Sequence, residues 1–278
     1  MIPTRAHLDE AVAAIRQRTA QQPTVGLILG SGLGGLADAI EQPDTIPYRD
    51  IPHYPVATAV GHAGELVIGP LEGVSVMTMR GRLHYYEGYS MAAVTFPVRV
   101  MRAMGVQTLI VTNAAGGLDA SWQATDLMLI TDHINLPGLA GISPLVGPND
   151  DALGPRFLDM RGSYDAGLRA LAQRVAREQG FTLREGVYVM NAGPCFETPA
   201  EIAFLVSLGG KAVGMSTVPE VLVARHSGMR VLGISCITNI AVGAEKADHE
   251  EVLAAAAVAK PRFTALLQGI LRVLATAG

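Results

Sequence analysis

The residues in this chain that could do chemistry begin with a glycine loop. The stretch "GLILGSGLGG" (26–35) is an apolar run that ends on Gly30, Gly32 and Gly35 around Ser31. This G-x-G-x-x-G spacing holds a pyrophosphate when a second strand and an acidic residue follow roughly twenty positions on. Here the chain continues "EQPDTIPYRDIPHYPV", with Pro43, Pro47, Pro52 and Pro55, and no apolar strand leads into Asp50. Proline removes ladder donors, so this stretch is hostile to a central parallel strand and counts against an NAD site. Two readings of the loop remain: a structural turn, or a nest of backbone N–H groups and the Ser31 hydroxyl around a compact anion such as phosphate.

Further donors for an anion lie downstream. "MRGRLHYYEGY" (79–89) supplies Arg80, Arg82 and His84, and the last two share one side of an extended chain. A guanidinium fork matches phosphate oxygens, and an imidazole adds a donor. "TLIVTNAAGGL" (108–118) is an apolar strand ending in small residues that let a ligand approach the backbone at Ala114. "AVGMSTVPEVLVARH" (212–226) places Ser216 at a helix start, where unpaired N–H groups favour negative charge. A second polar set suits a heterocycle. Phe196 and Glu197 precede a helix in "MNAGPCFETPAEI" (190–202), and Asn239 ends the apolar strand "LGISCITNIAV" (232–242). An amide beside a carboxylate can accept and donate at adjacent atoms of a purine edge. Each motif also has an ordinary reading as a turn, cap or solvated edge.

These residues need a scaffold, and the composition allows one. The 278 residues are 49% hydrophobic and 17% charged, enough for a sizeable core, and with 5% aromatic that core is mainly aliphatic. A net charge of −4 gives no basic footprint for nucleic acid or anionic membrane. Cys195 and Cys236 form neither a disulfide framework nor a zinc spacing, which fits reduced thiols in a cytoplasmic protein. The N-terminal 1–22 reads as a charged amphipathic helix without a signal-peptide core, and no apolar run reaches the roughly eighteen residues of a membrane span.

Short apolar runs at 25–29, 65–68, 74–79, 108–112, 127–131, 187–190, 212–215 and 231–237 are expected strands. Helical spacing marks 91–104, 164–179 and about 249–275. Thr198 with Glu201, Thr217 with Glu220, and Asp248 with Glu251 have the capping-box pattern. Strands alternating with helices, plus a hairpin in "ELVIGPLEGVSVMTM", predict an α/β fold, one domain over 1–278 with a central mixed sheet flanked by helices. The Pro/Gly-rich 136–157 reads as a long functional loop and not a linker.

The stretches "LGSGLGGLAD", "GHAGELVIG", "GRLHYYEGY", "TLIVTNAAGGL", "TDHINLPG", "NAGPCFETPAEI", "AVGMSTVPEVLVARH" and "HEEVLAA" run in order from about 24 to 258. In them the chain resembles trimeric purine nucleoside phosphorylase, the low-molecular-mass branch of nucleoside phosphorylase family 2. The resemblance implies reversible phosphorolysis of purine (deoxy)ribonucleosides to free base and pentose 1-phosphate, with phosphate as co-substrate and no cofactor or metal. It implies a phosphate site at Ser31, His62, Arg82, His84, Ala114 and Ser216. Phe196, Glu197, Met215 and Asn239 would read the purine, while Tyr86, Tyr188, Met215 and His249 would contact the sugar. Asn239, His84 and Glu197 would be the catalytic groups. Phe157 would reach a neighbouring subunit's site, making a homotrimer the working unit. Asn239 and Glu197 suit a 6-oxopurine, hence inosine and guanosine in purine salvage. The alternatives are a methylthioadenosine phosphorylase, which resembles this chain less at those two positions, and a non-catalytic purine- or phosphate-binding protein.

Overall fold

The computed structural model describes residues 3–276 other than 31, 60, 61 and 244–248, and of residue 249 the backbone only. Among these residues a nine-stranded mixed sheet runs through the molecule. Its outer wing is antiparallel: β2 (Asp44–Pro47) pairs with β3 (Glu65–Leu71), and β3 with β4 (Val74–Arg80). Next comes β1 (Val25–Leu29), parallel to β4 on one side and to β5 (Thr108–Gly117) on the other. The order then runs through β8 (Gly210–Gly214), β7 (Arg184–Met190), β6 (Leu127–Asn135) and β9 (Arg230–Ile240). Because β9 also pairs in parallel with β5, these last five strands close on themselves.

The central strand β1 is apolar throughout, and β5 mainly so over its first half, because both faces are covered. On β1, Val25, Leu27 and Leu29 enter one core while Ile28 enters the other, and on β5 Ile110 is separated in the same way from Leu109 and Val111. A strand buried on both faces has no polar side, so continuous apolar sequence is its signature. One core is covered by α1 (Arg5–Arg16), α3 (Phe96–Ala103) and α7 (Val218–His226), the other by α5 (Ala166–Glu178) and α8 (His249–Thr276).

Several expected elements change in detail. The N-terminal helix does not fill 1–22: a Thr4–His7 capping box starts α1, and it ends at Arg16, whose guanidinium donates to the Gln21 and Met104 carbonyls. The expected helix at 91–104 is two, α2 (Met91–Val94) and α3, broken at Thr95. Pro97 has no N–H to offer the Ala93 carbonyl one turn back, and the Thr95 hydroxyl adds a bond to the Met91 carbonyl, which already accepts the Thr95 N–H. The proline-rich stretch holds only β2, an antiparallel edge strand, where missing donors cost least. The β5 strand runs on to Gly117, past the expected end at 112, and a bulge at Ala115/Gly116 carries its pairing with β9 to that end. In the 136–157 loop only α4 (Leu136–Leu139) is regular. The Thr198–Glu201 box caps α6 (Pro199–Ser207). The Thr217–Glu220 box is absent, and Asp248 lies outside the described residues.

Candidate active site

Strand ends bring the functional side chains together. Gly30 after β1, Arg82 and His84 after β4, Asn113–Gly116 on β5, Met215 and Ser216 after β8, and Thr238 and Asn239 on β9 line one cavity of about 800 Å³. The loop before α6 adds Phe196 and Glu197, Tyr86 follows His84, and Val252 of α8 closes one side. Ligands collect at the carboxyl ends of parallel strands because helices and loops open there.

At one end of the cavity sits a braced arginine. The Arg82 side chain is only 2% exposed; its Nη1 donates to Ser216 Oγ at 2.7 Å and to Thr217 Oγ1 at 3.1 Å, and its Nε faces Glu220 Oε1 at 3.3 Å. Asn113 Nδ2 donates to the same Thr217 hydroxyl at 2.9 Å. This explains the missing capping box. Thr217 is held at φ +78°, a costly backbone for a β-branched residue, and its hydroxyl points to Arg82 and Asn113, while Glu220 pairs with the guanidinium. Arg82 Nη2 is buried without a partner among the described residues. A buried guanidinium with an unmatched donor on a cavity wall has the chemistry to receive an anion.

His84 is aimed by Glu87. The Glu87 Oε1 accepts from the His84 amide at 2.6 Å and from its ring Nδ1 at 3.1 Å, while Oε2 accepts from the Thr58 amide and hydroxyl at 2.7 and 2.6 Å. Burial alone would raise the Glu87 carboxyl, but the donors from His84 and Thr58 hold it down at about 2. A carboxylate only accepts, so Nδ1 carries a proton and Nε2 is left as the nitrogen that can meet a ligand. Tyr86 stacks on the His84 ring at 4.7 Å. His62 stands behind, its ring 5.3 Å from that of His84 and its Nδ1 2.7 Å from the Arg82 carbonyl. Burial pushes His62 down to about 4, so the ring is neutral near pH 7.

The glycine loop divides its work. Gly30 reaches the cavity, but its N–H donates to Thr112 Oγ1 at 3.0 Å. Gly32, at φ +76°, lies where an added Cβ would come within 2.7 Å of the Ala256 Cβ on α8. The spacing therefore serves close packing of loop on helix as well as approach to a ligand. Ser31 lies outside the described residues, and His249 is described only as the first residue of α8.

At the other end, Glu197 accepts from Asn191 Nδ2 at 2.9 Å, and Asn239 Oδ1 lies 3.3 Å from the Thr238 hydroxyl. Phe196 stands 47% exposed at the lip, and Met215 packs close to Gly193 of the same loop. Tyr188 is not on the cavity wall. It is fully buried behind Gly214 and Ser216, and that burial pushes its phenol up to about 12. Arg80 leaves the anion set for ion pairs with Asp38 and Glu65. Phe157 is 90% exposed and away from the cavity. Four residues of the arrangement, Glu87, Asn113, Thr217 and Glu220, escape motif reading. Only the His84-x-x-Glu87 spacing signals one of them, as a carboxylate one turn from a histidine.

Comparison with known proteins agrees with this architecture. The model of the phosphorylase superfamily matches residues 24–272. Purine nucleoside phosphorylase 1 of Geobacillus stearothermophilus is 55% identical over 273 residues, 98% of each chain. The chain belongs to the phosphorylase superfamily, among the purine nucleoside phosphorylases. The purine nucleoside phosphorylase of Rattus norvegicus is 53% identical over 90% of this chain and 88% of its own. The crystal structure of the Schistosoma mansoni purine nucleoside phosphorylase in complex with inosine superposes on this phosphorylase fold with a TM-score of 0.93, at 44% identity over 97% and 96% of the two chains. That of the same enzyme with adenosine gives 0.93 at 45% identity over 97% of each chain. Among the described residues no helix is long and apolar enough to cross a membrane, and no cluster of three or more His, Cys, Asp and Glu could hold a metal.

Proposed function

We infer that the chain catalyses reversible phosphorolysis of purine nucleosides, preferring 6-oxopurines such as inosine and guanosine, with phosphate as the only co-substrate. The observation that carries this reading is the cavity itself: a buried, partly unmatched Arg82 at one end and a Glu197–Asn239 pair at the other. In the reaction the C1′–N9 bond breaks and its electron pair leaves with the base. A phosphate oxygen then bonds to C1′. Arg82, His84, Ser216 and, by resemblance, Ser31, His62 and the Ala114 backbone hold the phosphate against the cationic sugar. Asn239 donates to N7 as negative charge develops on the purine, and Glu197 accepts from N1–H. Donors fixed where charge develops supply most of such catalysis, and holding two reactants in line supplies the rest.

Tyr86 and Met215 on the wall fit sugar contacts, and His249 at the start of α8 is assigned the 5′-hydroxyl. Tyr188 is assigned an indirect role, as the floor under Gly214 and Ser216. A homotrimer is supported by the 136–157 segment. Leu139, Val146 and Phe157 are 81%, 63% and 90% exposed, three large apolar side chains of one segment that a neighbouring subunit would cover. A 6-amino purine has no N1–H and would set its N1 lone pair against the Glu197 carboxylate, a mismatch that hydrogen-bonding sites reject strongly. The adenosine complex of the schistosomal relative shows occupancy in that protein, so turnover is the decisive readout here.

The test is release of hypoxanthine from inosine with and without phosphate, with adenosine run alongside. Cleavage of inosine only with phosphate is expected, with adenosine far slower. Phosphate-independent cleavage, or none in folded protein, would overturn the reaction class. Equal rates on adenosine would overturn the base preference alone.

A further inference from the structure

Glu197 is the base-reading carboxylate in the proposed function, yet it sits on a loop whose neighbours Pro194, Cys195 and Phe196 are exposed. Its one side-chain hydrogen bond among the described residues comes from Asn191, whose Nδ2 donates to Oε1 at 2.9 Å. A carboxylate cannot donate, so the amide orientation of Asn191 follows from chemistry. Asn191 is itself fixed to the sheet: it follows directly on β7, and its backbone N–H donates to the Gly214 carbonyl at 2.8 Å. The loop carboxylate is thereby tied to a strand end through a single side chain.

We propose that Asn191 is a positioning residue that fixes the plane of the Glu197 carboxylate and so favours purines presenting two adjacent donors, a ring N–H and a 2-amino group, over those presenting the ring N–H alone. The inference rests on the reading of Glu197 as the base acceptor. A lone donor can follow a carboxylate that swings about its side chain. Two parallel donors need both oxygens coplanar with the base. With Asn191 bound, Oε1 keeps one lone-pair direction and Oε2 keeps two, enough for a paired contact only while the plane is held. Positioning of this kind acts through supporting hydrogen bonds, and its loss shows first in the contact with the strictest geometry.

Steady-state kinetics of the full chain with guanosine and inosine test it. In Asn191→Leu the KM for guanosine should rise about tenfold, the worth of one hydrogen bond to a charged group. The KM for inosine should rise about threefold or less, and that for phosphate serves as the internal reference. Asn191→Asp adds a readout that simple loop packing would not move. At about pH 8 two carboxylates face each other and the guanosine KM is high. Toward about pH 6 a proton shared by the pair restores an O–H donor to Glu197, and the KM falls again. Equal rises for both nucleosides in Asn191→Leu, or a KM in Asn191→Asp that follows pH as the parent does, would overturn the inference. Calorimetric binding of guanine and hypoxanthine gives the same ratio if turnover is too weak to measure. Glu197→Ala separates the two layers: no change in either KM there would sink the reading of Glu197 itself. A rise there, with an unaltered guanosine-to-inosine ratio in the Asn191 variants, would sink only the role of Asn191.

Discussion

At the anion end of the cavity Arg82, Asn113, Ser216 and Thr217 are all buried and hydrogen-bonded to one another, with Glu220 ion-paired beneath. At the base end Phe196 is 47% exposed, and Glu197 hangs from one amide. Each design suits its ligand. Phosphate is small, symmetric and always the same, so a rigid cluster can be built for it before it arrives. A nucleoside is larger and varies in its base, and under the proposed function a wall on an open loop can admit it. The contrast also separates two kinds of fragility. A substitution at the anion end strikes folding and binding together, whereas one at the base end strikes binding and specificity.

Arg82→Ala should produce the largest effect. It removes the main anion donor and leaves Glu220 as a buried, uncompensated carboxylate, which costs about 3–5 kcal/mol of stability. The kcat/KM for phosphate should fall by roughly a thousandfold or more, as lost charge-stabilising donors do. Adding Glu220→Gln should recover much of the stability and none of the activity. Recovery of activity in the double variant would mean that the guanidinium balances Glu220 and does not bind phosphate. Asn239→Ala comes next. It should lower kcat by roughly a hundredfold with inosine while phosphate KM and melting temperature hardly move, since Asn239 supports no buried charge. A large fall in melting temperature would break the contrast between the two ends.

What could be read from the sequence follows the same division. The strands feeding the cavity announce themselves because both faces are buried and the runs are mainly apolar. Arg82, His84 and Asn239 stand out as polar residues at the ends of such runs, and Glu197 as a carboxylate just before a capped helix. The braces do not. Asn113 meets Thr217 across 104 positions of chain, and Arg82 meets Ser216 across 134, distances over which no local pattern operates. Thr217 and Glu220 even imitate a capping box, and only the positive φ at Thr217 shows that the hydroxyl and the carboxylate serve Arg82 instead. Tyr188 shows a different limit of motif reading. Its motif places it near the sugar, but strand alternation turns the ring into the core behind the cavity. The break at Thr95 depends on Pro97, which helical periodicity alone passes over.

Acid should act on the anion end before the base end. His62 is depressed to about 4 from its ordinary 6.5 by burial, so the unfolded chain binds a proton that the folded chain refuses. Stability therefore falls as pH drops from about 6.5 toward 4. Glu87, depressed to about 2 from 4.5, adds a further loss that starts near 4.5 and completes as pH passes below 2. Urea midpoints between pH 7.5 and 4.5 should fall less in His62→Asn than in the parent chain. An equal slope would place the acid lability elsewhere.

The smallest effect expected belongs to Thr198→Ala. The Thr198 hydroxyl accepts from the Glu201 amide at 3.3 Å, and Glu201 returns a carboxylate to the Thr198 amide at 2.7 Å, a box that starts α6 directly after Glu197. Losing the cap costs about 1 kcal/mol locally. Because α6 is short and packs mainly through Leu205, that loss should appear as faster amide exchange across 198–203 with little change in global melting. If base recognition depends on the open loop as a whole, the guanosine and inosine KM values should both rise, by about twofold to fivefold and by the same factor, since a frayed helix start loosens Glu197 without touching Asn191. An unequal rise would show that the helix start, and not the amide of Asn191, orients the carboxylate. The specificity of the base end would then belong to α6 and not to β7.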